Sequence, residues 1–388
     1  MTAKFVRLGD VCEVVSGSTP KSNFPEYWDG DIKWITPAEL NDDSYVIYDS
    51  VRHITDLGVQ KTGLKSFPAG TVILSSRAPI GKTAIAGCEM YCNQGFKNLI
   101  CSEVVDNRYL YHYLSAKTEY LNSLGRGATF KEISKSIVEN IVIPLLPLEE
   151  QRRLADQFEQ INQLISLRKM QISKLDQLVK SRFIELFGMP GTDTNGWGLI
   201  PLGEACQVNP KKGQDKRMVS GLTVSFVPMP AVSEKGEIDP SETREYDTVK
   251  TGFTYFAEND VLFAKITPCM ENGKGAVARG LYNGIGFGST EFHVLRPISG
   301  KTNPYWLYML TAFSQFREDA ANNMTGSAGQ RRVPASFLEN YRVSVPPMEL
   351  QEQFAAFVVQ TDKSKLVIQE SLAELETLKK ALMQKYFG

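Results

Sequence analysis

Histidine is nearly missing from this 388-residue chain: there are three, His53, His112 and His293, far apart in sequence. A nucleophile triad or a histidine-rich metal centre has almost nothing to be built from, and no catalytic or metal-binding constellation is expected. Six cysteines (Cys12, Cys88, Cys92, Cys101, Cys206 and Cys269) form no Cys-x-x-Cys pair, so reduced thiols are expected and structural zinc is not. There is no run of about eighteen apolar residues and no secretion or lipidation signal, which gives the expectation of a soluble cytoplasmic protein with no membrane partner. Charge of one sign is lacking too, since 43 Lys and Arg stand against 44 Asp and Glu. A nonspecific nucleic-acid binder would usually be basic, so any contact with a polyanion must come from local patches.

Several motifs fail on inspection. Gly81-Lys82-Thr83 resembles the end of a phosphate-binding loop, but the glycine needed five residues earlier is Ser76. Asn209-Pro210 opens like the tetrapeptide with which adenine methyltransferases hold a flipped base, yet continues Lys211-Lys212 without a glycine-rich cofactor loop. Glu26 with Asp31 and Lys33 is too cramped for a carboxylate-carboxylate-lysine nuclease.

What the chain does have is a repeat. Residues 141–188 align without a gap on 341–388. Each copy reads as a short strand, a proline stop (Pro144 and Pro147; Pro346 and Pro347), and a helix opened by acid at its positive end (Glu149; Glu349). Apolar residues at Leu154, Phe158, Ile161, Ile165, Ile172, Leu175, Val179 and Leu186 follow the four-and-three spacing of a coiled-coil seam. Arg168 and Arg182 interrupt it where the second copy has Ile368 and Leu382, so the helices look like partners for each other. At 1.5 Å per residue each would be roughly 55 to 60 Å long.

The duplication reaches further. Leu8-Gly9-Asp10-Val11-Cys12 is echoed by Leu202-Gly203-Glu204-Ala205-Cys206, and the Gly- and Pro-containing stretch 188–197 reads as a linker. Strands are expected at 32–35, 71–75 and 97–101 and at 224–228, 261–266 and 291–296. Helices are expected at 107–122 and 304–318. The chain therefore divides into a first variable domain (1–147), a first long helix and linker start (148–188), a second variable domain (189–347) and a second long helix (348–388). From 128 onward the two copies regain their register behind loops rich in small residues. Arg126, Lys131, Arg331 and Arg332 there suit phosphate or guanine contacts; a solvated hairpin with ordinary surface charge is the alternative.

The duplicated stop with Glu-x-Gln (Glu149-Glu150-Gln151; Glu349-Leu350-Gln351) and its long helix resembles the specificity subunit of type I restriction-modification enzymes. Trp34-Ile35-Thr36-Pro37-Ala38-Glu39-Leu40, Asn93-Gln94-Gly95-Phe96, Phe226-Val227-Pro228-Met229 and residues 264–274 agree with it, and the resemblance covers nearly the whole chain. It implies an α+β fold: two α/β target-recognition domains separated by two long antiparallel coiled-coil helices, built by internal tandem duplication. It also implies a non-catalytic, sequence-specific DNA-binding subunit. Each domain would read half of a bipartite double-stranded target, with the helices setting the spacer and docking two methyltransferase (modification) subunits. Restriction subunits carrying motor and nuclease would join them. No cofactor is expected in this chain, while S-adenosylmethionine, ATP and magnesium belong to the partners. The other readings are a DNA methyltransferase or nuclease with unrecognised motifs, and a purely structural scaffold.

Within that frame, side-chain chemistry nominates DNA contacts as polar residues beside glycines at strand ends. In the first domain these are Ser75, Ser76, Arg77, Lys82, Asn93, Gln94 and Lys97, with Arg126 and Lys131. In the second they are Lys211, Lys212, Arg217, Lys265, Asn272, Lys274, Arg331 and Arg332. Asn and Gln can pair bidentately with adenine, and Arg with guanine.

Overall fold

The computed structural model describes residues 4–388 other than 42, 78, 128–130, 214–216 and 328. The chain divides into two compact units, residues 1–169 with 370–388, and residues 170–369. Each unit thus takes one variable domain and a stretch of each long helix.

Those helices run Leu148–Phe187 and Met348–Phe387, 40 residues apiece. Proline sets the start of both: lacking an N–H of its own, it still offers a carbonyl, and the Pro147 and Pro347 oxygens accept from the Gln151 and Gln351 amides at 3.0 and 3.3 Å. Glycine sets the stop of the first, where Gly188 adopts φ +77° and its amide closes on Ile184 O at 2.8 Å. Within the first unit Phe158 stacks on Phe387 at 5.4 Å between ring centroids. Within the second, Phe183 and Phe187 both meet Phe354 at 5.5 Å, and Lys365 Nζ pairs with Asp176 at 2.6 Å. In both units the start of one helix meets the end of the other, so the pairing is antiparallel. Ile161, Ile165 and Val179 of the expected seam are buried, while Ile172, Leu175 and Leu186 are half-buried.

In the first unit, strand Lys4–Arg7 pairs antiparallel with Val142–Leu145, closing the domain just ahead of the helix. A five-stranded sheet follows the order Cys12–Ser16, Lys97–Cys101, Val72–Leu74, Thr83–Ala86, Val46–Ile47, beside a three-stranded sheet centred on Trp28–Ile35. The second unit repeats the closing pair (Leu199–Pro201 with Arg342–Ser344) and carries two four-stranded sheets, one centred on Val261–Ala264 and Phe292–Pro297.

The expected strands are present, within two or three residues at their ends except for 28–35, which starts earlier. The expected domain helices are each broken in two: Asn107–Ala116 then Thr118–Ser123, and Pro304–Ala312 then Ser314–Asn322. In the second unit the break is Phe313, whose backbone turns extended (φ −67°, ψ 143°) and whose ring lies 5.1 Å from Phe183 of the long helix. Packing against that helix has overridden local periodicity. Among the described residues no helix is long and apolar enough to cross a membrane.

Candidate nucleic-acid interface

The Glu-x-Gln signature has a structural explanation. Gln151 is fully buried; its Oε1 accepts from the Asp106 amide at 2.9 Å, and its Nε2 donates to Val104 O and Leu146 O at 2.9 and 2.8 Å. Gln351 does the same with the Asn303 amide at 2.8 Å, Lys301 O at 3.0 Å and Pro346 O at 2.8 Å. Asp106 and Asn303 in turn cap the domain helices that follow them. One side-chain amide therefore ties each long helix to the N-cap of a domain helix, with its acceptor and both donors engaged.

Both variable domains also share a clamp. Lys82 Nζ donates to Leu40 O at 2.6 Å, and Lys274 Nζ to Met229 O at 3.4 Å. Each joins a glycine-lysine turn to the short helical turn after a strand, Pro37–Glu39 in one domain and Met229–Ala231 in the other. These two lysines, nominated as DNA contacts, are held inward by backbone carbonyls.

Three more nominated residues are corrected by burial. Ser75 donates through Oγ to Pro79 O at 2.7 Å and accepts from the Lys82 amide at 2.9 Å, Ser76 Oγ accepts from Lys97 Nζ at 3.3 Å, and all three of Ser75, Ser76 and Lys97 are buried. The sequence argument placed them at strand ends, which they occupy, but facing inward. Asn93 is occupied locally, its Oδ1 accepting from the Gly95 amide at 2.8 Å. Gln94 is exposed and meets the Thr19 hydroxyl.

A charged cluster remains at the foot of the hairpin in each domain. In the first, the Arg126 and Glu132 backbones pair, and the Ile133 amide donates to Ser76 O at 2.9 Å. This gathers Arg77, Lys97, exposed Arg126 and Lys131, and Glu132. Glu132 takes Arg77 Nε at 2.9 Å and Lys97 Nζ at 3.2 Å. Partial burial works against the carboxylate, but Arg77 and Lys97 outweigh it and hold its pKa below the ordinary value.

In the second domain Thr325 and Arg332 pair in the same way, and the Val333 amide donates to Lys265 O at 2.9 Å. Arg332 grips Glu291 through Nε and NH2 at 2.9 and 2.8 Å, while Arg331 meets Glu271 at 3.1 Å. Arg332 holds the Glu291 carboxyl below its usual range. His293 backs this cluster, donating through one ring nitrogen to Val333 O at 2.8 Å and meeting Asn209 with the other.

Lys211, Lys212 and Arg217 are exposed but outside the cluster. Lys212 Nζ donates to Lys250 O at 2.7 Å, and Arg217 to Asn283 O at 3.1 Å. Asn272 is exposed on the turn 267–274 beside the cluster.

Sequence reasoning missed Arg317, buried beneath that turn. It donates to Thr311 O at 2.6 Å, Met270 O at 2.9 Å and Gly273 O at 3.1 Å, and burial pushes its pKa down to about 10. It also missed the acids Glu132, Glu271 and Glu291. A search for cations to meet phosphate has no reason to select them. Among the described residues no three His, Cys, Asp or Glu side chains converge as a metal site would.

A family model described as the type I restriction modification DNA specificity domain matches residues 2–177 and again 195–377. The MjaIX type I restriction enzyme specificity subunit of Methanocaldococcus jannaschii is 27% identical over 403 residues, covering 98% of this chain and 91% of that protein. The EcoEI specificity subunit of Escherichia coli is 42% identical over 154 residues, 39% of this chain and 25% of that protein. A chain from a structural study of type I restriction-modification complex assembly and conformational transition matches the fold with a TM-score of 0.60 at 21% identity, covering 100% of this chain and 97% of that one. The type I S subunit of M. genitalium does so at 0.55 and 14%, covering 100% and 99%. With the two anchored domains and the paired helices, the two family matches establish that the chain belongs to the type I restriction-modification DNA specificity family and carries its domain twice.

Proposed function

We propose that this chain is the address-bearing subunit of a type I restriction-modification complex acting on cytoplasmic double-stranded DNA, each variable domain reading one half of a split sequence. The observation that carries this is the doubled domain with identical anchoring and different exposed charge. Gln151 and Gln351 hold both domains to the helices in one manner, while the hairpin clusters present an acid held by bases in one domain and a base held by an acid in the other. Same mounting and different faces suit two readers of two half-sites. The chain does not catalyse; methyl transfer with S-adenosylmethionine, and ATP- and magnesium-dependent cleavage, belong to partner subunits. The long helices carry exposed apolar residues (Leu164, Leu167 and Leu178 on the first; Leu366, Val367 and Leu378 on the second), which suits docking of two modification subunits and, through them, restriction subunits.

Exchanging residues 1–140 for the first domain of another family member, and mapping methylated sites in the reconstituted complex, tests this. One half-site should change and the other stay. Altered bases in both halves would refute independent reading.

A further inference from the structure

Position 132 in the first domain and position 332 in the second are one place in the fold, related by the offset of 200 and by the same backbone bonds to the neighbouring hairpin strand and strand-end loop. The side chain there is an acid held by two bases in the first domain, and a base held by an acid in the second. From this inversion we infer that Glu132 and Arg332 are the specificity-determining residues of their domains, Glu132 reading an exocyclic amino group on a base edge and Arg332 a guanine. This rests on the half-site reading above and deepens it.

Donor and acceptor accounting supports each assignment. Glu132 has one oxygen committed to Arg77 Nε and the other to Lys97 Nζ, which fixes the carboxylate plane; each oxygen keeps a further lone pair. An ionised carboxylate only accepts, so in the major groove its partner is the amino group of cytosine or adenine. Phosphate would be repelled. Arg332 has five N–H groups. Glu291 takes Nε and one on NH2, and Gln330 O takes one on NH1 at 3.1 Å. One N–H is left on each terminal nitrogen, and guanine O6 and N7 are two acceptors for such donors. Both side chains are partly exposed. Arg77, Lys97 and Glu291 are then positioning residues, which fix a reader in one rotamer before DNA arrives.

The test uses the chain assembled with its modification subunits and a DNA library randomised across both half-sites, comparing wild type with Glu132→Gln and Arg332→Lys. Gln keeps the shape but loses the charge and half of the acceptors, while Lys keeps the charge but loses the fork. Glu132→Gln should relax or change the preferred base at one position of the first domain's half-site, and Arg332→Lys should relax a guanine at one position of the other, each by about 5- to 150-fold. Far-ultraviolet circular dichroism melts accompany both; should Glu132→Gln unfold, Arg332→Lys decides. Folded variants that select the wild-type base at every position overturn the inference alone. A wild-type complex that selects no split sequence overturns the half-site reading and this inference with it.

Discussion

The two domains differ in charge at a place where the same backbone bonds recur. At the hairpin foot of the first, four cations (Arg77, Lys97, Arg126, Lys131) surround one carboxylate; at that of the second, three cations (Lys265, Arg331, Arg332) are interleaved with two. Residues later, Gln151 and Gln351 make the same three bonds to the same kinds of group. One chain thus contains its own comparison: contacts kept in both copies mount the domains, and contacts inverted between them set what each domain faces.

The sharpest way to break that distinction is to remove a shared contact. Gln151→Leu preserves volume but strands the Asp106 amide and two carbonyls in a buried site, and Gln351→Leu does the same to Asn303 and its neighbours. Each unpaired buried group costs about 1 to 3 kcal/mol, so a loss of roughly 3 kcal/mol or more is expected from either change. Urea unfolding should show the two losses equal within about 1 kcal/mol, the usual scatter between contexts. If one variant is nearly neutral, the shared geometry is not a shared anchor.

A smaller effect separates the units by pH. His112 is buried on the first domain's helix, among Tyr45, Tyr111 and Phe158, at a place where the second domain has Met309. Burial, with Lys379 and Arg108 nearby, pushes its pKa down to about 3. In the unfolded chain a histidine takes up its proton near pH 6.5, and the folded one does not until about pH 3. The stability it contributes is therefore complete above about pH 6.5 and is lost progressively as pH falls toward 3, about 2 kcal/mol by pH 5. His112→Met, which installs the second copy's residue, should flatten the loss between pH 7.5 and 5 in urea titrations. An unchanged slope would assign the acid sensitivity to other groups, such as His293, whose pKa is also lowered, chiefly by burial.

How much of this was legible beforehand follows from which physics each feature obeys. The long helices could be read because periodicity, proline and glycine act locally. The break at Phe313 could not, because a ring reaching the other side of the core decides it. Glu-x-Gln was readable as a signature but not as a clip, since Val104 and Lys301, which it holds, lie 47 and 50 residues upstream. Glu132 opposite Arg332 was visible in the aligned copies, yet a search for cations to meet phosphate kept only the arginine. Ser75, Ser76 and Lys97 mark the limit of strand-end reasoning, because periodicity of two does not say which side of a loop faces water.

The smallest effect bears on the two glycine-lysine turns, which sequence chemistry assigns to DNA and the structure assigns to a clamp. If Lys82 met a phosphate, its removal would lower the salt dependence of DNA binding by about one ion's worth, and would weaken all sequences alike. A lysine donating to Leu40 O instead stabilises the turn that carries Pro37–Glu39, and its counterpart on Met229 O does the same for Met229–Ala231. Methionine keeps the aliphatic stem of either lysine and deletes only the charged donor. Lys82→Met and Lys274→Met should therefore each cost about 1 to 2 kcal/mol of stability, toward the low end for a hydrogen bond from a charged group because both lysines are only half-buried. The slope of log binding constant against log salt, measured on the intact complex, should match wild type for both. The shorter contact, 2.6 Å for Lys82 against 3.4 Å for Lys274, places the larger loss in the first domain. A reduced salt slope in either variant would return that lysine to the DNA face, and would leave the glutamine clip as the contact both copies keep.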